Sequence, residues 1–120
     1  MDGSGDSKSS ADRVARNQAL FRSVNEQIET RNQGFGVTHQ RIDFVCECAD
    51  EHCMEHVTIR LSEYEPVRRV PTHFIVKADH VYRDYERVVE ELDGYVVVEK
   101  FGEAGKQATR LDQRRALKSV

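Results

Sequence analysis

All three cysteines of this chain fall between positions 46 and 53, in the stretch FVCECADEHCMEH. The spacing is C-x-C-x4-C, and it restricts what the fold can do with them. Two cysteines separated by one residue are too close for a relaxed disulfide. An odd number leaves no closed disulfide set, and no C-x-x-C redox pair is present. A C-x-C at the end of a strand does put both sulfurs on one side. Four further residues are enough for the chain to turn and bring Cys53 back to them. A chain of 120 residues can bury only a modest core, so a staple at this point has high value.

Zinc prefers four tetrahedral ligands drawn from thiolate and imidazole. Three cysteines therefore ask for one histidine. His52 is next to Cys53, and folding both onto one ion is awkward. His56 gives C-x2-H, the best local spacing. His73 opens a later strand with the wrong parity. His80 ends that strand on the parity of Phe74 and Val76, and reaches the cysteines if this strand lies beside the first. A distant ligand would tie the cysteine hairpin to the rest of the sheet. Two other readings of the cluster stand beside metal binding. Cys46 shares a strand face with Ile42 and Phe44 and fits a buried core thiol. The group could also be a redox pair, against which the C-x-C spacing and the lack of C-x-x-C count.

The rest of the chain reads as one α+β domain. Residues 1–8 are Gly/Ser/Asp-rich and are expected to be a disordered tail. Ser9 and Asp12 fit a helix start, and Val14, Phe21, Val24 and Ile28 form one apolar stripe at helical spacing. GFG at 34–36 ends the helix. RIDFVCEC and VTIRL alternate as strands and pair as a hairpin, with the cysteines at its turn end. Ser62 and Glu65 read as the capping box of a short helix that contains Pro66 and ends at Pro71. HFIVKADH is a third strand. YERVVEELDGYVVVEK reads as two strands joined at Asp93-Gly94, a favoured hairpin turn; 83–92 also fits a helix with Tyr85, Val88, Val89 and Leu92 on one side. The expected architecture is an N-terminal helix packed on a small, mostly antiparallel sheet of about five strands. The domain spans 9–105, followed by a basic tail over 106–120.

Charge is unevenly distributed. Residues 33–100 carry eight Lys/Arg against fourteen Asp/Glu, and residues 101–120 carry five against two. An acidic body repels phosphate backbones. A nucleic-acid reading would rest on Arg110, Arg114, Arg115 and Lys118 of the tail, with Arg68 and Arg69. No apolar run approaches the roughly 20 residues of a membrane span, and the N-terminus has no apolar stretch of a secretory signal. Cytoplasmic residence is the expectation, where thiols and zinc thiolates outnumber disulfides. There is no phosphate-binding glycine loop, nucleophile elbow or His-Glu-x-x-His.

The segments FRSVNEQIE, FVCECADEHC, EYEPVR, PTHFIVKADH and GYVVVEKFGEAG resemble, in the same order, a family of small bacterial proteins without an assigned activity. Its pattern is F-x-C-E-C-x4-C, E-Y-E-x-V-R, F-x-V-x-x-x-H and Y-x-V-V-E-K, and the likeness runs from Phe21 to Gly105. The chain departs from it at KADH, where Pro-Gly commonly precedes the histidine, and at Pro66. The resemblance implies a ligand set of Cys46, Cys48, Cys53 and His80 and does not require His56. Four protein ligands imply a structural zinc with no open position. A protein partner is the favoured use, since Glu47, Asp50, Glu51 and Glu55 make the surroundings acidic. A nucleic-acid-binding zinc module is the alternative. A zinc hydrolase with Glu47 as base is the third reading and needs an open fourth position. Tyr64 and Arg68 are read as a clamp on the sheet edge rather than a contact surface.

Overall fold

Two antiparallel sheets and three helices make up the fold seen in a computed structural model, which describes residues 7–34 and 39–112. Helix α1 spans Ser7–Gly34. Strands β1 (Ile42–Val45) and β2 (His56–Ile59) pair as the expected hairpin. Helix α2 (Leu61–Arg68) leads into β3 (His73–Val76), followed by a 3-10 turn at Ala78–His80. Strands β4 (Glu86–Leu92) and β5 (Tyr95–Lys100) complete a second sheet of order β3-β5-β4. Helix α3 spans Gly102–Arg110. The α+β class stands, with five strands in two small sheets instead of one. Among the described residues, no helix is long and apolar enough to cross a membrane.

Residues 83–92 resolve toward the hairpin. Leu92 faces Tyr95 across a two-residue turn, and Gly94 has φ 87°. That left-handed backbone is open to glycine at little cost, which is why Asp-Gly selects this turn. Strands β3 and β5 of the three-stranded sheet are buried on both faces, whereas β4 is largely exposed. Ile75, Tyr95 and Val97 pack with Phe44, Val57, Ile59, Leu61, Tyr64 and Val67. Phe74, Val76, Val96 and Val98 pack with Cys46, Cys48 and Ala108. Double-sided burial explains the continuous FIV and VVV runs, where a half-exposed strand would alternate.

Helix α1 departs most from expectation. Of the apolar stripe Val14, Phe21, Val24 and Ile28, only Val14 is fully buried, and Val24 is exposed. The buried side beyond Val14 and Ala15 is polar: Gln18, Arg22, Asn25 and Glu29. The reason lies in what the helix covers, which is backbone. Asn25 accepts from Val45 N–H (2.8 Å) and donates to Val45 C=O (2.9 Å), as a neighbouring strand would. Gln18 donates to Glu47 C=O (2.9 Å), and Asn17 to Ala49 C=O (3.1 Å). Arg22 donates to the carbonyls of Pro71, Val70 and His73 while its guanidinium lies 3.9 Å over the Phe74 ring. Open strand edges must be satisfied when buried, and here a helix does it with side chains. Apolar residues on that face would leave those groups unpaired.

Three boundaries move. Helix α1 begins at Ser7, two residues before the expected cap. The capping contact of α2 is not Ser62 with Glu65: the Glu63 carboxylate accepts from Arg60 N–H at 2.8 Å. Helix α3 crosses the boundary expected after 105. Gly105 sits so close to β5 that an added Cβ would lie 2.9 Å from the Lys100 carbonyl oxygen. Beyond it, Asp112 is buried and takes a forked pair of bonds from Arg68 (3.1 and 2.7 Å). The rest of the expected basic tail (residues 113–120) and most of the expected N-terminal tail (1–6) lie outside the described residues, as do positions 35 and 36 of GFG.

Removing one partner of a buried ion pair strands the other charge. Asp112→Ala should therefore lower stability by about 3–5 kcal/mol in urea unfolding. An unchanged midpoint would show that the chain beyond 105 is not part of the domain.

Candidate metal centre

Strand β1 stops at Val45, and the next three residues run alongside β3. Cys46 N–H donates to Glu55 C=O (3.0 Å), keeping the β1–β2 hairpin closed one step further. Glu47 N–H donates to Ile75 C=O (2.8 Å), which bridges the two sheets. This junction is where Cys46 and Cys48 emerge, both buried. The loop after them turns at Asp50, whose carbonyl accepts from Cys53 N–H (3.0 Å) and whose side chain accepts from His52 N–H (2.9 Å). Cys53 is thereby folded back toward the pair. From the other sheet, the 3-10 turn after β3 closes with His80 N–H on Lys77 C=O (2.9 Å) and presents the imidazole.

The four side chains meet. Their ligand atoms all lie within 4.8 Å of one another. His80 Nδ1 is 3.4 Å from Cys53 Sγ and 3.6 Å from Cys46 Sγ. A ring nitrogen has one lone pair or one hydrogen, so it cannot make two good thiol hydrogen bonds at once. Two sulfurs equally close to it are what a shared ion produces, and the Cys3His group could hold a metal ion. Supporting contacts surround it. Lys77 N–H donates to Cys46 Sγ at 3.3 Å. His80 Nε2 is 3.6 Å from Asp79 Oδ1, which leaves Nδ1 facing the sulfurs; outer carboxylates commonly orient metal-bound imidazoles this way.

Crowding three thiols changes their acidity. Cys48 is lowered to about 5, chiefly by the hydrogen bond from the Cys46 thiol. Cys46 is pushed far up, first by that same hydrogen bond and then by burial. Cys53 is raised by burial. Near neutral pH the metal-free cluster therefore carries one thiolate and two thiols.

The other sequence candidates go elsewhere. His52 and His56 are exposed, and His56 sits in β2 opposite Val45. His73 pairs with Glu99 (3.5 Å). His80 reaches the cluster from a 3-10 turn and not from a strand extended to residue 80. Glu47, read as an acidic neighbour and as a possible base, is buried with both oxygens taken. Oε1 accepts from Ile75 N–H (3.0 Å), and Oε2 accepts from Asn25 Nδ2 (2.8 Å) and Tyr64 Oη (2.7 Å). It is only 1 % exposed and turned away from solvent. Tyr64 stacks on Phe44 at 4.5 Å, and burial, with the Glu47 carboxylate beside it, holds its pKa well above that of an ordinary phenol, so it remains a donor. Arg68 is buried on Asp112 and Glu26 and is not available to a phosphate. Tyr64 and Arg68 do act as clamps, but between helices and the sheet junction rather than on a sheet edge. Sequence reasoning missed Gln18, Arg22 and Asn25. Their spacing of four and three was visible, but a search for apolar periodicity passes over polar residues.

The fold and site thus define an α+β domain with a Cys3His group able to hold a metal ion. Comparison with protein-family models, with curated proteins and with solved structures finds no match to this chain.

A divalent ion bound by three thiolates must displace the remaining thiol protons. Titration at pH 7.5 in buffers of different ionisation enthalpy should show about two protons released, so affinity should rise about 100-fold per pH unit in this range. Release of none would mean that the cysteines are not the ligands.

Proposed function

We propose that this chain is a small zinc-binding protein in which Cys46, Cys48, Cys53 and His80 hold a structural zinc. The observation that carries the reading is the pair of distances to His80 Nδ1, 3.4 and 3.6 Å. A tetrahedral ion with Zn–S near 2.3 Å and Zn–N near 2.0 Å sets sulfur and nitrogen ligands ~3.5 Å apart. The donor set supports zinc on chemical grounds as well, since thiolates with one imidazole exclude hard oxygen-seeking cations such as magnesium and calcium. Four protein ligands leave no position for substrate, and the Glu47 carboxylate is buried on three donors, so the centre is structural. When bound, zinc would cross-link the β1–β2 hairpin to the turn after β3, joining the two sheets.

In this reading the domain is an interaction module with a protein partner. Three thiolates and a neutral imidazole leave a zinc site with net negative charge, and the exposed Asp50, Glu51 and Glu55 beside it add to that. Such a surface suits a basic protein segment and repels nucleic acid.

Metal analysis of protein purified without chelator should find zinc equimolar with the chain. His80→Ala should lose it, and His56→Ala should retain it. Cys48→Ser should lower zinc content and reduce the melting temperature by about 10 °C or more, because metal binding and folding are linked. Zinc-free wild-type protein, or metal loss from the His56 variant alone, would overturn the assignment.

A further inference from the structure

The residue between the two cysteines of C-E-C is the best-satisfied polar residue at the junction. Glu47 N–H bonds Ile75 C=O, and its carbonyl accepts from Gln18. Its carboxylate accepts from Ile75 N–H, Asn25 and Tyr64. These partners come from β3, α1 and α2. They hold one residue from three directions, while the side chains immediately before and after it point at the metal cluster. Fixing Glu47 therefore fixes the backbone that carries both sulfurs. We propose that Glu47 is a positioning residue for the metal centre: it presets Cys46 and Cys48, and through Asn25 and Gln18 it couples metal occupancy to the docking of α1. This deepens the zinc reading and rests on it.

The chemistry explains why a carboxylate is needed. All three groups that face it are donors. A carboxylate accepts from all of them, whereas an amide of the same shape must turn its NH2 toward at least one donor and break that bond. The cost is concentrated where the two sulfurs are attached. Preset ligands do not have to be ordered when the ion arrives, and outer partners of metal ligands commonly contribute 10- to 100-fold in affinity. Coupling also runs in reverse: whatever ties metal binding to α1 docking makes the bound ion strengthen that docking.

The test separates positioning from general damage. Glu86 is also buried and also bonds Gln18 (3.0 Å), but its other partners are Lys100 (3.2 Å) and Tyr82 N–H (2.9 Å), and none of these contacts is a cysteine or His80. Glu86→Gln is thus a control of comparable burial. Affinity is measured by Co(II) competition with a chelator on folded wild type, Glu47→Gln and Glu86→Gln. The expected result is at least a tenfold loss of affinity for Glu47→Gln and less than a threefold change for Glu86→Gln. In hydrogen exchange, added zinc should slow α1 amides in wild type and do so less in Glu47→Gln. If Glu47→Gln does not fold, Tyr64→Phe, which removes one of the three bonds, should weaken metal binding several-fold. Equal affinity losses in the Glu47 and Glu86 variants, or an unchanged Tyr64→Phe where that variant stands in, would overturn the positioning role. Wild type that binds no Co(II) or zinc would instead overturn the metal reading itself.

Discussion

Everything in this structure meets at the bridge between Glu47 and Ile75. The two sheets are separate ladders, and this is the point where their backbones bond directly. A buried strand edge is expensive unless its N–H and C=O groups are paired. The chain pairs them with backbone at Glu47, with a carboxylate at Ile75 N–H, and with the amide and guanidinium groups of α1 elsewhere. The Cys3His group then lies on the far side of the same three residues. One tripeptide, Cys46-Glu47-Cys48, faces the helices with its middle side chain and the cluster with the outer two.

This arrangement gives a small domain a polar tie across one seam, beside a Cys3His group that could add a second tie by holding a metal ion. The polar tie is made of neutral and charge-assisted hydrogen bonds in a dry region, where each is strong if all are made and costly if one is missing. A metal ion held by the thiolates would add the stronger tie of the two. With an ion bound, the two together would do work that a larger apolar core does in a longer chain. Two further buried ion pairs, Glu86 with Lys100 and Arg68 with Asp112, lie elsewhere in the fold.

Much of this was legible from sequence where a local rule applied. The Asp93-Gly94 turn, the alternation of β1 and β2 and the crowding of the cysteines each follow from one short stretch. His80 was reached partly for the wrong geometry, because the strand ends at Val76 and a 3-10 turn carries the imidazole. The polar side of α1 was not legible, because its partners are backbone groups far along the chain and no apolar pattern marks them. The second half of helix α3, beyond residue 105, was read as tail for a related reason. The helix buries only Ala104, Gly105 and Ala108, and small residues give a faint periodic signal even where close approach to β5 demands them.

The proposed zinc site requires three sulfurs and one nitrogen around a single ion at the sheet junction. X-ray absorption at the zinc edge of the metal-loaded protein tests it most directly. The account predicts a first shell of three sulfurs near 2.3 Å and one nitrogen near 2.0 Å, as for a closed tetrahedral Cys3His site. A shell with two or fewer sulfurs, or one completed by water oxygen, would contradict it.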